Sequence, residues 1–184
     1  MLGKDKVLGV IPARGGSKRT PRKNIKEFRG KPLIQWSIES ARESRLLDKF
    51  VVSTDDAEIH LFAGYQGVEV IARPAELATD TAMNEDVLRH AMTVYPDYEW
   101  IVLLQPTSPL REGKDIDSSL ILANEEGWGC VSYCGEEKNG AVYVCHALFL
   151  DKGFNFDRTH RIARYQMPDE RSLDLDYPDQ FEEK

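Results

Sequence analysis

Cysteine is scarce in this chain: three thiols, Cys130, Cys134 and Cys145, among 184 residues. An odd number without paired metal-ligand spacing argues against a disulfide framework or a cysteine-built zinc site, and for reduced thiols in a cytoplasmic protein. Long apolar runs are also missing. Nothing approaches the roughly 20 residues a membrane helix needs, and the apolar stretch near the N-terminus lacks the length and cleavage site of a secretory signal. A cytoplasmic protein with no membrane partner is expected. The four histidines are scattered, and each reads more readily as a packing or surface residue than as a catalytic one. Positive charge is in deficit too: 24 Lys and Arg against 31 Asp and Glu leave −7.

That deficit is uneven. Between residues 14 and 31 stand eight basic side chains against a single acid, Glu27, so this segment carries +7 and the remainder −14. A nucleic-acid binder usually spreads its positive charge over a face and interleaves aromatics for base stacking. One concentrated basic loop on an acidic protein fits a single anionic ligand better; a solvated loop with no ligand is the plainer alternative. With 41% hydrophobic residues, the length suits one domain spanning 1–184, large enough to bury a sizeable core.

Strand and helix patterns alternate. Residues 7–12 (VLGVIP) and 50–53 (FVVS) are short runs of the kind buried on both faces of a sheet, and 68–71 and 100–104 (WIVLL) are read as a third and a fourth strand. Helical spacing predicts a helix over 32–44 with Pro32 in its first turn, Asp55 or Asp56 offers an N-cap for one over about 57–65, and further helices are expected over 84–94 and 115–126. Later strands are expected at 129–133, 141–145 and 162–166, and a short helix after Pro178. This is the pattern of an α/β protein with a mostly parallel sheet and helices on both faces. Residues 13–31 break it with about 19 residues of no periodicity directly after the first strand. Loops this long in compact domains are usually functional or disordered, and ligands of open α/β sheets sit beyond the carboxyl ends of strands.

The loop reads PARGGSKRTPRKNIKEFRGKPL. Gly15 and Gly16 lack a Cβ, so backbone N–H groups can approach phosphate oxygens. Ser17 adds a hydroxyl, Arg14 a two-pronged donor, and Lys18 and Lys23 mobile charges. No G-x-x-x-x-G-K-[ST] string or three-glycine dinucleotide fingerprint is present. Further along, Asp174 and Asp176 in SLDLD lie two apart, so in extended chain both carboxylates face one side. Such a pair suits Mg²⁺, which is held by one or two carboxylates plus substrate phosphates; ordinary polar-out alternation is the competing explanation.

Six segments in order carry a specific resemblance: residues 11–41 (IPARGGSKRTPRKNIKEFRGKPLIQWSIESA), VVSTDD at 51–56, RPAELATDTA at 73–82, LLQPTSPLR at 103–111, NGAVYV at 139–144 and SLDLD at 172–176. Together they resemble the acylneuraminate cytidylyltransferase family. The resemblance implies a Rossmann-like, three-layer nucleotidyltransferase fold that joins CTP to an acidic nine-carbon sugar of the sialic, pseudaminic or legionaminic kind, releasing pyrophosphate with Mg²⁺. It assigns Arg14, Ser17 and Lys23 to the phosphates beside the backbone of Gly15 and Gly16. Asn24 falls to the nucleotide, and Arg73, the segment ending at Ala82, and Asn84 to the cytidine pocket. For Arg73 a surface ion pair with Glu69 or Glu76 is the competing reading. Gln105 would bond the sugar, helped by Thr107 and Ser108, with Arg111 balancing its carboxylate and Tyr143 nearby. Asp174 and Asp176 would hold the metal, and Arg14 and Lys23 would share the catalytic neutralisation with them. Another acidic acceptor such as Kdo, or a CTP-binding homologue without turnover, remains open.

One departure stands out. Only five residues, 134–138, separate VSY from NGAVYV, where the family usually carries a longer dimerisation arm with an arginine for the sugar carboxylate. The usual homodimer is therefore expected to be absent or built differently, and carboxylate recognition to fall to Arg111, Arg161 or Arg164.

Overall fold

The computed structural model describes residues 4–126, 128–150, 152–159 and 162–181; Arg161 lies outside them. Strand β1 (Val7–Pro12) buries alternate side chains on opposite faces, Val7 and Ile11 on one and Leu8 and Val10 on the other. The unpatterned loop follows and contains a small hairpin, β2 (Glu27–Phe28) with β3 (Lys31–Pro32). Arg29 and Gly30 turn it with φ of 49° and 82°, the pairing of left-handed residues a tight hairpin needs. Next come α1 (Leu33–Glu43), β4 (Lys49–Thr54), α2 (Ala57–Tyr65), β5 (Glu69–Ala72), α3 (Asn84–Val94), β6 (Trp100–Leu103) and α4 (Gly113–Glu126). The chain continues through β7 (Gly129–Cys134), β8 (Glu137–His146), α5 (Ala147–Leu150) and β9 (Ala163–Gln166). Past Pro178 there is a single 3-10 turn, Pro178–Phe181, where a short helix was expected.

The seven main strands form one sheet in the order β5-β4-β1-β6-β8-β7-β9. β8 alone runs against its neighbours β6 and β7; the other pairings are parallel. Apolar residues of α1, α2 and α4 cover one face and those of α3 and α5 the other, which makes the three-layer, Rossmann-like α/β architecture. The chain runs from β1 to β4 and β5 on one side, then returns to place β6 on the other, so a topological switch point lies between β1 and β6. Ligand crevices of open α/β sheets form there.

At the short 134–138 connection, β8 begins at Glu137, four residues earlier than its apolar run indicates. β7 and β8 pair up to Cys134 opposite Glu137. The two residues between them turn on Gly135 at φ 59°, a glycine in the first position of a tight hairpin. A plain hairpin thus occupies the place where an arm was expected to be missing.

Candidate active site

A cavity of about 600 Å³ opens at the carboxyl ends of the strands, bordered by Pro12 at the end of β1, Arg73 after β5 and Gln105 after β6. The basic loop forms one wall, and Asp174 and Asp176 line the cavity beside it. Both are anchored in a small core of their own. Phe28, Leu33 and Leu175 are fully buried together, with Trp36, Leu173 and Phe181 packed around them, and the Trp36 indole N–H donates to the Phe28 carbonyl at 3.1 Å. In SLDLD the leucines point into this cluster and the aspartates away from it. Burying Leu175 contributes about 1.5–3 kcal/mol and fixes which side the carboxylates face. The segment belongs to no strand; its alternation is that of extended chain.

Polar contacts fix the loop. Buried Asn24 donates from its side-chain amide to the Arg14 carbonyl at 2.9 Å, and the buried Thr20 hydroxyl donates to the Asp176 carbonyl at 3.1 Å. The Gly15 N–H donates to Asp55 at 3.0 Å. Asp56 caps α2 by accepting from the Glu58 and Ile59 N–H groups, both at 3.0 Å, and also pairs with Arg22 at 2.7 Å. A methyl group on Gly15 would stand 2.5 Å from the Asp56 carboxylate, so the glycine is needed for close approach.

Every loop cation on the cavity wall already faces a carboxylate. Arg14 and Lys18 meet Asp80, both at 2.5 Å, and hold its carboxyl below the usual range. Arg19 and Lys23 meet Asp176 at 2.9 and 2.7 Å. Asp174 reaches solvent yet lies in the concave wall. Desolvation there, followed by the charge of Asp176, raises its pKa against a hydrogen bond from Thr107 and the pull of Lys23. Arg73 makes no pair with Glu69, which is engaged by Lys49 and Tyr95. It is buried and donates to the Ser53 hydroxyl at 3.1 Å and carbonyl at 2.7 Å. Burial lowers its guanidinium to about 10, with Asp55 opposing and Arg14 adding to the shift.

Of the residues singled out in the sequence, Arg14, Ser17, Lys23, Asn24, Arg73, Ala82 and Asn84 line the cavity, as do Gln105, Thr107, Asp174 and Asp176. Gly15 and Gly16 are not among the lining residues. Three residues assigned to the sugar lie elsewhere. Arg111 is 3% exposed; it donates to the Ser37 and Ser40 hydroxyls and to the Gln105 and Ala141 carbonyls. Its charge is spent on the interior, and it touches the site only by holding the Gln105 backbone from behind. Ser108 is buried and donates to the Asn139 carbonyl at 3.3 Å. Tyr143 packs edge-on against Phe156 on the α3 face. Arg164 lies on edge strand β9 over the Tyr133 ring, 4.7 Å from its centroid. Sequence reasoning gave no role to Thr20, read Asp55 only as a possible N-cap, and placed Asp80 only within the segment assigned to the cytidine pocket.

A family model described as "Cytidylyltransferase" matches residues 8–132. The chain is 38% identical over 216 residues to CMP-N,N'-diacetyllegionaminic acid synthase of Legionella pneumophila, covering 94% of this chain and 92% of that one. It is 39% identical over 127 residues to N-acylneuraminate cytidylyltransferase of Escherichia coli, covering 68% of this chain and 30% of the relative. The chain spans between 30% and 52% of the length of the N-acylneuraminate cytidylyltransferases from Escherichia coli and Streptococcus agalactiae that it matches. Among solved structures, a CMP:2-keto-3-deoxy-manno-octonic acid synthetase complexed with CTP superposes with TM-score 0.75 at 17% identity, over 97% of this chain and 96% of that one, a likeness of fold.

Proposed function

The chain belongs to the cytidylyltransferase family, and from that premise we propose that it transfers the cytidylyl group of CTP to the anomeric hydroxyl of a nonulosonic acid, with Mg²⁺ as cofactor. One observation carries the reading: four loop cations, Arg14, Lys18, Arg19 and Lys23, line the same cavity as the carboxylates of Asp174 and Asp176. Among the described residues no group of three or more His, Cys, Asp or Glu could by itself hold a metal. A carboxylate pair that relies on substrate phosphates for its remaining partners is the donor set Mg²⁺ usually takes, so the residues fit it. When bound, the ion would neutralise charge on the phosphates.

The chain's own residues do the rest by position and charge. Arg14 and Lys23 exchange their carboxylate partners for phosphate oxygens, with Ser17 adding a donor. Arg73, Ala82 and Asn84 enclose the cytidine, and Gln105 and Thr107 orient the acceptor. The anomeric oxygen forms its bond to the α-phosphorus as the bond to the bridging oxygen breaks, pyrophosphate departs and the hydroxyl proton is released. No general base is assigned. A cytoplasmic location belongs to the same proposal and rests on the three free cysteines.

The test is pyrophosphate release from CTP and Mg²⁺ with a panel of legionaminic, pseudaminic and N-acetylneuraminic acids and Kdo. Release with a nine-carbon acid supports the proposal, and release with Kdo alone moves it to an eight-carbon acceptor. CTP binding without release to any acceptor makes the chain a binding homologue. Salt-sensitive RNA binding without CTP affinity overturns it.

A further inference from the structure

The segment bearing Asp174 and Asp176 leaves the sheet after β9 and has no regular hydrogen-bond ladder to hold it. Its position is set at discrete points. Leu175 is one, its side chain in the Phe28 cluster and its N–H donating to the Thr107 carbonyl at 2.8 Å. Four residues earlier, Arg171 ends a 3-10 turn and reaches the first turn of α4. There its Nε donates to Asp115 Oδ2 at 3.0 Å and its Nη2 to Oδ1 at 2.9 Å, a two-pronged fork. The Asp115 side chain is 0% exposed and that of Arg171 14%. The same carboxylate also accepts from the Tyr165 hydroxyl and the Glu112 N–H, both at 2.9 Å, so both oxygens are fully partnered.

We propose that Asp115 and Arg171 are positioning residues for the metal carboxylates, the fork fixing the direction in which Asp174 and Asp176 enter the cavity. This rests on the cytidylyltransferase reading above. An apolar anchor such as Leu175 holds depth but tolerates rotation. A bidentate guanidinium–carboxylate pair fixes a plane and a direction, and a lysine there would keep the charge but lose the fork. Mg²⁺ demands near-octahedral ligands at tightly defined distances, so small displacements of Asp174 act on metal affinity before they act on folding. Side chains that orient metal ligands typically matter by 10–100-fold in affinity when changed.

The experiment is Mn²⁺ binding to the protein–CTP complex, read from the EPR signal of free Mn²⁺ against CTP alone, together with melting temperature and CTP affinity in EDTA. Arg171→Lys should weaken Mn²⁺ about tenfold, leave metal-free CTP affinity within twofold, and regain its pyrophosphate-release rate at excess Mg²⁺. Loss of general structure would show none of that rescue. The double variant Asp115→Asn/Arg171→Gln removes the fork and both of its charges together, but it also takes away the carboxylate charge that buried Arg111 feels, so its melting temperature is read first; when folded, it should show the same weakening. Parent-like Mn²⁺ affinity in either folded variant overturns the inference. A parent protein that adds nothing to the Mn²⁺ affinity of CTP overturns the cytidylyltransferase reading itself, which separates the two failures.

Discussion

Replacing Asp176 with asparagine should make metal-free CTP bind more tightly while removing metal-dependent turnover. In the free protein the Asp176 carboxylate holds Arg19 at 2.9 Å and Lys23 at 2.7 Å, and in the proposed reaction Lys23 must leave it for phosphate. Asp176 is about one-third exposed in its side chain and Lys23 about one-sixth, so each pair is partly screened and contributes roughly 0.2–1 kcal/mol. Losing both should cost the fold roughly 0.4–2 kcal/mol and no more, because the backbone contacts of Asp176 to Thr20 and Gln180 remain. The same interaction energy no longer opposes the ligand, and about 1 kcal/mol corresponds to about fivefold tighter binding. Calorimetry with CTP in EDTA, urea unfolding and pyrophosphate release with Mg²⁺ measure the three effects on one preparation. Unchanged or weaker CTP binding in EDTA would refute the idea that carboxylate and phosphates compete for the same cations.

Gly15→Ala places a methyl 2.5 Å from an Asp56 carboxylate already committed to capping α2; a loss of about 1–3 kcal/mol in urea unfolding and weakened CTP binding in titration are expected. Gly140→Ala must adopt φ 72° with its Cβ 2.7 Å from the Gln105 amide oxygen; the acceptor KM should rise more than the CTP KM in steady-state pyrophosphate release. Arg111→Met strips two hydroxyls and two carbonyls of a buried donor, so unfolding measurements should show a loss of about 3 kcal/mol or more. Burial would raise the Asp115 carboxyl, but Arg171, the Glu112 N–H and Tyr165 overcome it and hold it low. Its stabilisation is therefore fully present above the unfolded value of about 3.9 and lost as pH falls through the lower folded value. The stability gap between parent and Asp115→Asn in urea should narrow from pH 6 to pH 3.

The strands were legible where both faces are buried, because VLGVIP and WIVL admit little but a central strand; α1 was legible from its spacing and α2 from its Asp56 cap. The hairpin inside the loop was not: strands of two residues, Glu27–Phe28 and Lys31–Pro32, are too short for any period, leaving only the Arg29-Gly30 turn as a sign. The loop cations and the Asp174–Asp176 pair followed from local strings, since residue type and spacing show there, although the contacts that fix them are distant in sequence: Gly15 to Asp55, Arg14 to Asp80 and Thr20 to Asp176. The misplacement of Arg111 has the opposite cause. An arginine in sequence shows its charge but not its depth, and its partners come from α1, β8 and the end of β6. One clue was present. Ser37 falls on the core-facing stripe of α1 between Ile34 and Ile38, and a hydroxyl buried there requires a polar partner. That partner is Arg111, at 2.7 Å. The Asp115–Arg171 fork spans 56 residues and leaves no local sign at all, which is why the residues that hold a site in place are harder to read than those that line it.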